Sequence, residues 1–247
     1  MKEDYRVRRQ RLADRAANIL ATHTYTRLTP LGSIGEIWRC KRPDSTCYGF
    51  DIMITRFGIA VVGDIGGLTF NVGATYGTGF LAGDDVDYYI HSKLEQHCKT
   101  TEIDEDYFNE TRNSLASHWL ANVLTDEVLP EQGAMDHDSY RSILHDWVDA
   151  LQDKFDVCSK QWDALDAIAE MLDDNCFSVS EECHETLADC AHKLGRSYDY
   201  DYDFEKPAES LINQLYMIRH AAIQIQAIKY PPPGCAILAY SSEGEPA

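Results

Sequence analysis

Positive charge is scarce in this 247-residue chain, where 22 Lys and Arg stand against 41 Asp and Glu for a net charge of −19. Direct binding of a polynucleotide is therefore not expected, since that grip is built from clustered Lys and Arg. No apolar run approaches the roughly 20 residues needed to span a bilayer. The opening Met1-Lys2-Glu3-Asp4-Tyr5-Arg6-Val7-Arg8-Arg9 leads into no apolar segment, so a secretory leader is not expected either. The expectation is a cytoplasmic protein without a membrane partner.

Sequence signatures of common catalytic sites are missing too. There is no HExxH, GxSxG or Walker sequence, and none of the nine histidines forms a recognisable motif. The eight cysteines contain no CxxC pair. Their even number invites a disulfide framework, but length, helical character and the lack of a leader favour reduced thiols. Cys183-His184, Cys190 and His192, with Cys176, form the densest metal-like cluster. Zinc sites are usually built from two tight ligand pairs, so buried helix cysteines beside ordinary histidines are the better reading. In Met135-Asp136-His137-Asp138 the acids read as helix caps. No catalytic residue, metal or cofactor is assigned.

What the chain does have is acid, concentrated in its middle. Residues 1–83 carry 11 Lys/Arg against 7 Asp/Glu, residues 84–210 carry 9 against 32, and residues 211–247 carry 2 of each. Solubility needs only a modest net charge, and charge at this density costs stability through self-repulsion. At a distance it attracts cationic surfaces.

Hydrophobic content of 44% and aromatic content of 11% support a folded core. Residues 1–22 read as a basic amphipathic helix, with Val7, Leu12, Ala16, Ile19 and Leu20 at near-helical spacing. Strand signals follow at Ile37–Cys40, Tyr48–Thr55, Ile59–Asp64 and Leu68–Val72, separated by Gly and Pro turns, as in an antiparallel meander. Gly63-Asp64-Ile65-Gly66-Gly67 lies between two strands and reads as a hairpin, not a phosphate loop. Beyond the Gly-rich stretch 73–83, helices are predicted over 84–97, 104–124, 137–156, 159–174, 179–194 and 207–229. The expected fold class is α+β. One region, 1–83, holds the first helix and the sheet; the other, 84–247, is acidic and helical, and the alternative is one continuous domain.

The most specific pattern lies on the middle helices. Asp146, Asp149, Asp153 and Asp156 fall at i, i+3, i+7 and i+10, and Asp163, Asp166, Glu170 and Asp173 repeat that spacing. Glu182, Glu185 and Asp189 form a shorter third copy. Like charges three or four apart on a helix cost about 0.2–0.5 kcal/mol per pair. A solvated polar face explains acids in general, but such faces usually interleave Lys; only Arg141, Lys154 and Lys160 interrupt the run from Asp138 to Asp189. Asp199-Tyr200-Asp201-Tyr202-Asp203-Phe204-Glu205, if extended, would put acids on one side and aromatics on the other. It fails as a calcium loop, having Phe204 where Gly is required and Ser210 where Glu is required.

Gly35–Pro43 with Trp38, Tyr48-Gly49-Phe50, Phe57-Gly58, Gly63-Asp64-Ile65-Gly66 and Asp87–Lys93 together resemble uncharacterised bacteriophage and prophage proteins. The likeness covers the sheet and the helix after it, with Tyr216–Ala222 as a further element. It implies a phage origin and a life in the host cytoplasm. Small acidic phage proteins are often inhibitors of host immunity, of anti-CRISPR or anti-restriction type, and some imitate DNA. The expected function is then inhibition of a host defence complex through its basic groove, with the eleven acids named above as the partner-binding set. Two other readings stay open: a metal-dependent enzyme acting on a nucleotide or signalling molecule, with ligands among Asp136, His137 and the Cys183–His192 cluster, and a homo-oligomer pairing the basic first helix with acidic helices.

Overall fold

The computed structural model describes residues 4–72, 77–123, 135–154, 159–173, 180–198 and 201–231. The fold is α+β, with an N-terminal five-stranded antiparallel sheet followed by a mostly helical region. The chain forms two compact units, one from Glu3–Thr100 together with Ala208–Ala247 and the other from Thr101–Pro207. Each has its own hydrophobic core.

The sheet unit begins with α1 (Tyr5–Ile19), capped by Asp4, whose Oδ1 accepts the Arg6 N–H at 2.7 Å. Strands β1 (Thr24–Arg27), β2 (Glu36–Lys41), β3 (Phe50–Thr55), β4 (Gly58–Gly63) and β5 (Gly66–Phe70) pair in sequence order. The register lines up Trp38 with Ile52, Ile52 with Val61 and Val61 with Leu68. Alternation sends these side chains to one face, where they join Leu12, Ala16 and Leu20 of α1 in the core. The expected Asp64-Ile65 hairpin joins β4 to β5. A Cβ on Gly63 would lie 2.3 Å from the Gly49 oxygen, so no larger residue fits there.

The predicted helix over 84–97 is broken in two, a helical stretch from Val86 to Ser92 and a 3-10 turn at Gln96–Cys98. The first piece opens with a π-helical turn, Val86–Ile90, under the Asp85 cap, and between the two pieces the backbone at 93–95 pairs with the sheet. Asn71 donates to the Lys93 oxygen at 2.8 Å and Glu95 to the Thr69 oxygen at 2.9 Å. The open edge of β5 offered unsatisfied backbone groups, and pairing them outweighed the local helical periodicity. A short helix α2 (Gly77–Leu81) precedes this segment.

The last helix, α7 (Glu209–Lys229), buries Leu211, Leu215, Ile218, Ala222 and Ile225 in the sheet unit's core and packs on α1 and α2. Packing thus draws the unit boundaries at 100/101 and 207/208 instead of at the expected 83/84. The physical reason is that α7 is apolar over more than one stripe and is covered by the sheet unit's helices.

The helical unit opens and closes with a two-stranded ladder of β6 (Thr101–Ile103) and β7 (Glu205–Pro207), in which Thr101 faces Pro207. Between them run α3 (Glu105–Val123), α4 (His137–Gln152), α5 (Lys160–Asp173) and α6 (Ser180–Lys193). Helix α5 packs against α3, α4 and α6. The core holds Phe108, Trp119, Leu144, Ile168, Leu187 and Phe204. Charge divides with the units: residues 101–207 carry 7 Lys/Arg against 27 Asp/Glu, and the rest of the chain carries 15 against 14.

Candidate partner-binding surface

The apolar period of each middle helix fixes where its acids go. Helix α4 buries Tyr140, Leu144, Val148 and Leu151. At about 100° per residue, Asp146, Asp149 and Asp153 then fall within an arc of roughly 60° opposite the core. All three are exposed. Helix α5 buries Leu165, Ile168, Met171 and Leu172, which sets Asp163, Asp166, Glu170 and Asp173 within about 80° on the far side. Helix α6 buries Cys183, Leu187, Cys190 and Ala191 and turns Glu185 and Asp189 outward, with Glu182 at the margin. Asp166 and Glu182 are half-buried and the other eight described acids are exposed. Asp156 lies outside the described residues.

Two contacts show that these faces adjoin. Asp173 Oδ1 on α5 is 3.4 Å from His145 Nε2 on α4, and Glu170 on α5 pairs with Lys193 at the end of α6. The ridge of α5 is therefore flanked by the two others. The hydrogen bond from Lys193 to Glu170 is the main influence raising the Lys193 pKa; burial opposes it, and Asp189 adds to it. The other relief is local, as in Arg141 beside Asp138 at 3.1 Å.

A fourth acidic line closes the unit. Asp201, Asp203 and Glu205 are exposed, while Tyr202 is half-buried and Phe204 buried, so the acids and aromatics separate as an extended chain requires. The rings stack inward, Tyr198 on Tyr202 at 6.1 Å and Tyr202 on Phe204 at 5.8 Å between centroids. Asp199 and Tyr200 lie outside the described residues.

The cysteine–histidine cluster comes apart. Cys183 and Cys190 face the core, and burial pushes the Cys190 thiol up to about 12. His184 Nδ1 lies 3.0 Å from the Tyr198 hydroxyl, against the aromatic stack, while His192 is exposed. Cys176 is outside the described residues. Among the described residues no group of three or more His, Cys, Asp or Glu is arranged to hold a metal ion. Asp136 caps α4: its carboxylate accepts the Ser139 N–H at 2.9 Å, and the bonds from Ser139 hold its pKa below the usual range.

What sequence reasoning missed are the seams. His145 and Lys193 show no pattern of their own, and their role depends on which helices become neighbours. Among the described residues the surface offers rows of exposed carboxylate oxygens. Among the described residues no helix is long and apolar enough to cross a membrane. The chain matches no protein-family model, and searches of curated proteins and of solved structures likewise give no match.

Proposed function

We propose that this protein is a phage-encoded inhibitor that occupies a basic, nucleic-acid-binding groove on a host defence complex, with the outer faces of α4, α5 and α6 standing in for a polynucleotide. The observation that carries this reading is the adjacency of three acidic ridges, marked by Asp173 against His145 and Glu170 against Lys193. Acids along each ridge are roughly 5–6 Å apart at the Cβ atoms, and those along an extended segment about 6.6–6.8 Å apart, comparable to successive phosphates on a strand. A groove that has already placed its Lys and Arg for phosphates gives carboxylates at similar spacing the same attraction. Steering by the −20 charge of residues 101–207 speeds the encounter.

The test is a set of four reversals, Asp149→Lys, Asp153→Lys, Asp163→Lys and Asp166→Lys, together in the full chain. A CRISPR or restriction nuclease captured from bacterial lysate at low salt is then assayed for binding and for competition by duplex DNA. Binding should fall steeply with salt, yield to DNA and vanish in the reversed variant while its circular dichroism stays native. Undiminished inhibition by that variant would rule electrostatic imitation out.

A further inference from the structure

The sheet unit holds a second site, built on different residues and independent of the acidic ridges. A groove of about 530 Å³ runs between α1, the first turns of α7 and the loops at one end of the sheet. That volume is in the range of small-molecule pockets, roughly 300–1,000 Å³. Its floor is apolar, formed by Leu12, Ala16, Ile65 and Met217, and its rim carries Arg15, Tyr48, Asp64, Glu209, Ser210 and Gln214.

Tyr48 sets this groove apart. Its φ of +56° makes it the one non-glycine residue in the left-handed region among the described residues. A side chain bearing a Cβ adopts that conformation at an energetic cost, and such strain concentrates at functional sites. The strain is held in place by a tight set of bonds: the Tyr48 N–H donates to Asp64 Oδ2 at 2.7 Å, and the Asp64 N–H to the Gly49 oxygen at 2.8 Å. The conformation is that of the third residue of a turn closed by the Gly49 N–H on the Thr46 oxygen at 2.8 Å, and Tyr48 itself stays 45% exposed. The turn places the aromatic ring of Tyr48 at the groove's edge.

We propose that this groove binds a nucleoside. An aromatic ring beside an apolar floor suits a planar base, since stacking tolerates any base. The Gln214 carboxamide, which has no hydrogen-bond partner among the described residues, offers a donor and an acceptor side by side, as base edges require. The remaining oxygen of Asp64 is an acceptor for a sugar hydroxyl, the role acidic residues take on a ribose. The rim carries two carboxylates against one guanidinium, so it opposes a phosphate and selects the uncharged form.

Equilibrium titration of the full-length protein with adenosine, guanosine, cytidine and uridine, followed by NMR, tests this. At least one should bind saturably and shift resonances of Tyr48 and Gln214, and its 5′-monophosphate should bind no more tightly. Tyr48→Gly keeps the left-handed backbone and removes the ring; it should melt no lower than the parent yet bind roughly tenfold or more weaker, the size of a lost base–aromatic stack. Tyr48→Phe should restore binding. Reversal of the ridge acids should leave it unchanged, which separates this site from the proposed partner surface. No saturable nucleoside binding, tighter binding of the monophosphates, or undiminished binding by Tyr48→Gly would each overturn the proposal.

Discussion

His145 on α4 and Asp173 on α5 meet across a helix seam at 3.4 Å. Beside that seam, Asp163, Asp166 and Glu170 continue along α5, with Lys193 placed against Glu170. A helix arranged for stability alone would alternate signs along such a ridge.

Neutralising the ridge should therefore stabilise the protein. Asp166→Asn removes one like-charge contact with Asp163 and one with Glu170, a gain of about 0.4–1 kcal/mol at low salt. Thermal melts at low and high ionic strength check this, and the gain should shrink as salt screens the ridge. A loss of stability would mean that these acids hold the fold together and are not maintained at its expense.

Acid should weaken the sheet unit through Glu36. Burial acts to raise its pKa, but hydrogen bonds from Trp38 and Lys229 outweigh burial and hold it below the ordinary 4.5. The carboxylate sits 2.9 Å from both Trp38 Nε1 and Lys229 Nζ. With the native value lower than the unfolded one, its contribution is full above the ordinary value and lost as pH falls through the native one. Glu36→Gln should be less stable near neutrality and show a flatter acid limb in denaturant midpoints measured against pH.

Thiol reactivity should follow burial. Cys47 is exposed, whereas Cys40, Cys183 and Cys190 are buried, and burial pushes the Cys40 thiol up to about 12. Since the thiolate is the reactive form, alkylation of the native protein in mildly alkaline buffer should modify Cys47 and spare those three. Peptide mapping by mass spectrometry reads this out, and all four should react after unfolding.

Gly63→Ala should destabilise the sheet by about 1–3 kcal/mol, the usual cost of forcing atoms into packed space. Its Cβ would meet the Gly49 oxygen at 2.3 Å and Phe50 Cα at 2.5 Å, and backbone cannot yield as a flexible side chain would. Gly67→Ala, where nothing lies within 4 Å, is the matched control in a urea titration.

Much of the fold was legible because apolar period fixes both an element and its buried face. Leu144 with Val148 and Ile168 with Leu172 marked helices, and the same period placed their acids outward. Strand β1, Thr24-Tyr25-Thr26-Arg27, went unseen because an edge strand facing solvent shows no clear apolar alternation. Helix α2 was hidden by Gly77 and Gly79. The helix after Asp84 was legible but its break at 93–95 was not, because a partner distant in sequence, the edge of β5, set it. The seams at His145 and Lys193 depend on helix neighbours, which no local window reveals.

Where the chain departs at Thr100 and returns at Ala208, the Ala208 N–H already donates to the Thr100 oxygen at 2.9 Å. The intervening 107 residues, 101–207, thus begin and end at one doorway, and their first and last strands zip to each other. Such a block can be gained, lost or exchanged by recombination without rerouting any strand of its host scaffold.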